Sequence, residues 1–341
     1  MLSAPISALL CGALAMFFGL IGSAHATKFY ETSFENQACN ETITDAVTPV
    51  DGKYWDLYFP APLPTVRCAT SPAGSKHVEW TNGDLQHETL IEVLNVNISL
   101  VSGTTYYLAG YFRFERTGGV DIWQDTVGES RAVACGNASD APNSFDKLFE
   151  FRGTGFRWGI GSGWANSGYP GSHDHKFTFD AWCAASAITG CEAEYANDFD
   201  HKTPNANGYT ASSPFLADYE RWYAVVLGIT AHATAGSGRI QLWINGTQVI
   251  DRAHKTMDVG AVVSSIMANG TYGQPCYDLP AHKRQIDGML LTDVFSDVAA
   301  YMADPNGGSA ANLAGAANAS SSATGSVYIP LPRPTLNRVP R

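Results

Sequence analysis

The stretch Arg221 to Asp251, RWYAVVLGITAHATAGSGRIQLWINGTQVID, decides the fold. Trp222 to Thr230 is a short apolar, β-branched and aromatic run, the composition of a pleated, packed strand. The Gly- and Ser-containing ATAGSG interrupts it, and Arg239 to Ile244 starts a second strand. Side chains alternate across a strand, so Leu242 and Ile244 share one face and Trp243 takes the other. Trp243 reads as a packed aromatic ahead of a ligand platform. Asn245-Gly246 follows directly, and both residues accept the positive φ of a tight turn. The pair makes Arg239 to Ile250 two antiparallel strands.

The same grammar extends outward. Thr105 to Glu115 (TYYLAGYFRFE), Lys147 to Arg152 (KLFEFR), Phe156 to Ile160 (FRWGI) and Lys176 to Trp182 (KFTFDAW) place aromatic or branched residues at alternate positions, as a half-buried sheet face requires. Between Lys28 and Asp304 these segments are separated by clusters of Gly, Asn, Asp, Pro and Ser, with no long helical periodicity. Many short strands with turn signals between them predict an all-β sandwich or barrel. Residues 27–304 read as one large sandwich, because such folds often exceed 200 residues as a single unit. Residues 305–341 differ. Pro305 to Gly325 is almost entirely Gly, Ala, Ser and Asn, too poor in apolar surface to order itself, and the closing IPLPRPTLNRVPR is Pro-rich and basic. The segment reads as a linker and extended tail, with a docking or sorting peptide as the sharper alternative.

Residues 1–26 carry an apolar run from Ala8 to Ile21 and end in Ala24-His25-Ala26, a small-x-small site suited to signal peptidase. The run is shorter than a bilayer span needs, so it predicts a cleaved export signal and no membrane span afterwards. The segment holds no Lys or Arg, and Leu10 before Cys11 argues against a lipoprotein site. Six cysteines follow it: Cys39, Cys68, Cys135, Cys183, Cys191 and Cys276. An even number in an exported chain implies oxidised pairs whose wiring sequence leaves open. Proximity favours Cys39 with Cys68 and Cys183 with Cys191, which leaves Cys135 for Cys276. No Cys-x-x-Cys pair supports a zinc site. Export places the chain in a secreted, periplasmic or extracellular setting.

The formal net charge is -11. Phosphate binding depends on clustered Lys and Arg, which this sequence does not show, so the charge argues against nucleic acid as partner. The charge also weighs mildly against a polyanionic glycan, although one cleft can be basic on an acidic protein.

The Arg221 to Asp251 unit resembles the late strands of concanavalin A-like jelly rolls, in which a Trp opens a strand and an apolar "LWINGT" hairpin closes the unit. Gln285 to Asp293 (QIDGMLLTD) is similar to the final strand of laminin-G-like and polysaccharide-lyase-like sandwiches. YYLAGYFRF followed by FDKLFEFRG is similar to paired strands of secreted proteins near the heparin-lyase and glucuronan-lyase group. The resemblance implies a disulfide-stabilised jelly-roll β-sandwich of two antiparallel sheets. For activity it implies less. The Glu-x-Asp-x-x-Glu pattern of laminarinase-like glycosidases is missing, and so are the alginate-lyase signatures Tyr-Phe-Lys-Ala-Gly and Gln-Ile-His, of which Gln86-His87 is a faint echo. Catalytic residues are therefore unassigned.

Two acidic groups came closest to a glycosidase pair: Asp121, Asp125 and Glu129, and Asp146 with Glu150, which strand alternation puts on one face. A salt-bridged solvent face accounts for Asp146 and Glu150 equally well. The run RWGIGSGWANSGYPGSHDHKFTFDAW concentrates aromatics and His around Gly-rich turns. Aromatic faces stack on sugar rings, and Arg and His hydrogen-bond hydroxyls, so Arg157, Trp158, Trp164, Tyr169, His173 and His175 are the candidate carbohydrate-binding residues. His-x-His lacks a visible third metal ligand. Asn197 to Gly208 (NDFDHKTPNANG) has the oxygen ligands calcium prefers, yet it lacks EF-hand spacing and a closing Glu, and no metal or cofactor is assigned. Six Asn-x-Ser/Thr sequons, including Asn97, Asn245 and Asn269, matter only in a glycosylating host.

The leading expectation is a secreted protein that binds a polysaccharide on a concanavalin-like sandwich. A polysaccharide lyase acting by β-elimination on a uronate polymer is the first alternative. An envelope or matrix protein using the sandwich for protein contacts is the second, and oligomeric state is open.

Overall fold

A computed structural model describes residues 27–44, 49–58, 63–82, 89–116, 145–163, 176–184, 187–190, 210–272 and 282–307. The strands form two antiparallel sheets. Sheet I runs β15 (Thr247–His254), β14 (Gly238–Ile244), β13 (Tyr223–Thr230), β8 (Thr105–Arg116), β17 (His282–Thr292), β5 (Lys76–Asn82) and β4 (Thr65–Cys68), with β1 (Lys28–Thr32) also on β17. Sheet II runs β12 (Thr210–Asp218), β11 (Lys176–Cys183), β10 (Arg157–Gly163), β9 (Phe145–Thr154), β16 (Val262–Tyr272), β6 (Thr89–Val93), β3 (Lys53–Tyr58) and β2 (Pro49–Val50), with β7 (Ile98–Ser99) also on β16. This is the jelly-roll sandwich that the sequence led us to expect.

The quoted stretch folds as read. β13 pairs with β14 and β14 with β15, all antiparallel. Asn245 and Gly246 take φ of 50° and 76°, the signature of a type I′ turn. The Asn245 side chain also accepts a hydrogen bond from the Ala224 amide at 2.9 Å, which ties the turn back to β13. A Cβ on Gly246 would collide with the carbonyl of Met302. Leu242 and Ile244 enter the core between the sheets, and Trp243 lies on the opposite face against Tyr107 and Phe295.

One expectation needs correcting. The alternation in β8 predicts a half-buried strand, but both of its faces are covered, as are those of β13. Leu108, Phe112 and Phe114 of β8 point into the core shared by the sheets, together with Phe149, Phe151 and Trp158. Tyr107, Ala109 and Tyr111 form a second cluster on the far face, closed by Val298, Tyr301 and Met302 of a 3₁₀ helix, Phe295–Met302. Two-sided burial explains why YAVVLGI is continuously apolar where a one-sided strand would alternate.

Cys39 and Cys68 form the expected disulfide, and Cys183 is disulfide-bonded as well. Cys135, Cys191 and Cys276 lie outside the described residues, as do residues 1–26 and 308–341. Among the described residues, no helix is long and apolar enough to cross a membrane.

β17 carries an irregularity between Asp287 and Met289, where Gly288 has φ of 60°. Asp287 is fully buried there. Its Oδ2 accepts from the Ala73 amide at 2.6 Å, while Oδ1 has no partner. Burial of an incompletely satisfied carboxylate pushes its pKa up to about 6 from 3.8.

Two outcomes follow from this packing. Gly246→Ala strains a positive-φ backbone against Met302 and should cost about 2 kcal/mol or more, read as a lower denaturation midpoint with unchanged slope. A raised carboxyl pKa stabilises the fold fully below the unfolded-state value, and that contribution is lost as pH rises through about 6. The stability difference between wild type and Asp287→Asn should therefore shift against the wild type across that window, measured by denaturation at several pH values.

Candidate functional site

Sheet II turns one face to the core and the other away from it. Alternation along β9 sends Phe149 and Phe151 inward, so Glu150 and Arg152 face outward. On β10, Trp158 and Ile160 are core residues and Arg157 and Gly159 face outward. The same rule puts Trp182 of β11, Ser265 and Met267 of β16, Glu92 of β6 and Tyr54 of β3 on the outer face.

Register then assembles these residues into rows. Glu92 pairs with Met267, Met267 with Glu150, Glu150 with Gly159, and Gly159 with Trp182. Beside this row, Ser265 pairs with Arg152 and Arg152 with Arg157. Five strands thus bring two arginines, two glutamates and a tryptophan onto one surface. Gly159 is necessary to it, because a Cβ there would meet the Trp182 ring at 2.6 Å.

Glu150 is the hub. Its carboxylate is wholly buried, with Arg152 Nε 3.2 Å from Oε1 and Arg157 Nε donating to the same oxygen. Glu150 Oε2 has no hydrogen-bond partner among the described residues. Glu92 continues the network, accepting from Ser265 Oγ and lying 3.5 Å from Arg152 Nη1. A buried carboxylate between two cations is tolerable where a lone one is not. The Arg157 guanidinium sits over Trp182, 5.8 Å from its ring centre. Arg157 keeps 29% of its side-chain surface exposed, and its two terminal amino groups make no hydrogen bond among the described residues. Tyr54, on the same face near the sheet edge, is 50% exposed.

The structure sorts the sequence candidates. Arg157 is central to the network. Trp158 is corrected: its side chain is fully buried in the core and its Nε1 donates to the Thr256 carbonyl at 2.7 Å, so neither ring face can stack on a sugar. Trp164, Tyr169, His173 and His175 lie outside the described residues, as do the Asn197 to Gly208 loop and the Asp121, Asp125 and Glu129 group. The Asp146–Glu150 pairing relied on unbroken alternation, but β9 slips register against β10 beside Leu148, and Leu148 and Phe149 both enter the core. The Asp146 side chain is outside the described set. Sequence reasoning missed Glu92, Arg152, Ser265 and Tyr54. LFEFR carried a signal for Arg152, whereas the approach of Glu92 comes from pairing between distant strands.

No family model matches the chain, and no curated protein matches it in sequence. Solved structures similar to it include the alginate lyase Aly36B (14% identity, 76% of this chain and 95% of that chain, TM-score 0.47). The marine PL-14 alginate lyase from Aplysia kurodai is another (11%, 78% and 99%, TM-score 0.47). The endo-beta-1,4-glucuronan lyase from the fungus Trichoderma reesei is a third (11%, 82% and 99%, TM-score 0.43). These likenesses transfer no residue role to this chain.

Removing the hub leaves Arg152 and Arg157 facing each other without their common anion. Glu150→Ala should cost about 3 kcal/mol in chemical denaturation. Tyr54→Ala, half exposed, should stay within about 0.5 kcal/mol of wild type.

Proposed function

We propose that this protein is exported and binds a polysaccharide bearing carboxylate groups on the outer face of sheet II. One observation carries the reading: Arg157 is fixed at Nε by buried Glu150 and supported by Trp182, yet its side chain keeps 29% of its surface exposed and its terminal amino groups make no hydrogen bond among the described residues. A planar guanidinium held in this way offers two parallel donors, the geometry that a carboxylate accepts. Trp182 is only 7% exposed, so it supports Arg157 and leaves sugar stacking to the exposed Tyr54 ring. Glu92 and Glu150 neutralise the two arginines locally. The site therefore works by directed hydrogen bonds more than by net charge, which suits a chain whose overall charge of -11 repels polyanions at a distance.

The lyase alternative rests on the same face. Arginines that neutralise a uronate carboxylate are half of what β-elimination needs, and the other half is a group that moves the proton. Lys147 and Tyr272 are the residues of that chemistry nearest in the strand order, at register positions opposite Gly270 and Phe145.

The test is calorimetric titration with oligouronates of alginate and glucuronan type. Wild type should bind, and Arg157→Ala should weaken binding about tenfold or more while keeping its melting temperature within a few degrees. Equal binding by both proteins removes the site. Ultraviolet absorbance of unsaturated uronate ends, followed in the same mixtures, separates the readings: a flat trace means binding alone, and a rise lost in Lys147→Ala or Tyr272→Phe means a lyase.

A further inference from the structure

Sheet I carries a second polar surface on the opposite side of the sandwich. The outward residues Tyr107, Ala109 and Tyr111 of β8 lie under the 3₁₀ helix, but Arg113 and Glu115 continue past it. Register sets Arg113 opposite Gln285 of β17, Gln285 opposite Glu79 of β5, and Lys283 opposite Glu115. Gln285 is the buried centre. Its carbonyl accepts from Arg113 Nη1 at 2.7 Å and its amide donates to Glu79 Oε2 at 2.7 Å. Arg113 Nη1 also donates to Glu115 Oε2 at 3.1 Å. Lys283 Nζ lies 3.5 Å from Glu79 and 3.6 Å from Glu115, and Arg67 Nε lies 3.7 Å from Glu79. Each cation of the cluster has a carboxylate beside it, so acceptors lie next to donors throughout.

One member of the cluster is unsatisfied. His77 of β5 is 2% exposed, and neither ring nitrogen makes a hydrogen bond among the described residues. Its Nε2 stands 3.8 Å from Glu79 Oε2, too far for a direct bond and close enough for one oxygen to bridge. Burial lowers the His77 pKa, which keeps the ring neutral with one donor and one acceptor. Its ring packs T-shaped against partly exposed Trp222, 5.8 Å between ring centres. Buried polar atoms without partners call for an occupant. A hydroxyl oxygen, of a sugar or of water, can accept from His77 and donate to Glu79 at once.

We infer that the His77, Glu79, Arg113, Glu115 and Trp222 cluster on sheet I is a second binding site, for an uncharged sugar presenting hydroxyl groups. Donors and acceptors alternate around the cluster and an aromatic ring flanks it, the arrangement that neutral hydroxyls need and carboxylates do not. The inference is independent of the uronate reading on sheet II, since different residues and a different ligand class carry it.

The experiment is saturation-transfer NMR of the full chain with cello-, xylo- and manno-oligosaccharides at millimolar concentration. At least one should give a signal in wild type. Glu115→Ala, at the partly exposed rim, should weaken that binding about tenfold, and His77→Leu should abolish it. If His77→Leu does not fold, Glu115→Ala decides. The inference is overturned if no uncharged sugar binds, which assigns His77 a bridging water only. It is equally overturned if Glu115→Ala binds as wild type does, or if oligouronate displaces the neutral sugar and so places both on one face.

Discussion

The structure depends on the two-sided burial of β8. Phe112 and Phe114 fill the space between the sheets, while Tyr107 and Tyr111 are covered by the 3₁₀ helix Phe295–Met302. β13 and β17 flank β8 and inherit the same constraint, so sheet I is sealed on both faces along its middle. The Asn245-Gly246 turn belongs to this closure. Its glycine lets the hairpin lie against the Met302 carbonyl, and its asparagine side chain holds the start of β13. Past the helix, sheet I presents the Gln285 cluster.

Sheet II solves the opposite problem. One face packs the core, and the other holds a buried carboxylate that the fold must neutralise. Glu150 is stabilised by arginines at two neighbouring positions of β9 and β10, and those arginines are oriented by it in return. Arg157 is held at one edge by a carboxylate and on its plane by Trp182, so little side-chain freedom is left to lose on binding. This preorganisation links the core packing of LFEFR to the proposed recognition of a carboxylate.

Local rules made the fold legible. Alternation, the Asn-Gly pair and turn spacing located the hairpin and β8, β9, β10, β11, β13 and β14, because strand periodicity is a property of each segment alone. The same rules failed where tertiary context intervened. The unbroken apolar run of YAVVLGI carries the signal of two covered faces, but the helix that covers the second face lies some 70 residues later and the strand alone does not name it. Trp158 looked like a sugar platform because its neighbours were Gly-rich, yet its parity on β10 matches the core residue Ile160. Arg157 was legible, but its partner Glu150 was read with Asp146 until the irregularity beside Leu148 broke that alternation. Glu92 and Ser265 join the site through pairing with distant strands, for which a single sequence carries no signal.

The central claim is that Arg157, presented by Glu150 and Trp182, receives a ligand carboxylate. A crystal structure of the protein soaked with a short oligouronate tests it most directly. The account predicts a uronate carboxylate against the terminal amino groups of Arg157, with Glu150 still bound at Nε. An oligosaccharide seated away from sheet II, or one that meets Arg157 through hydroxyls alone, would contradict it.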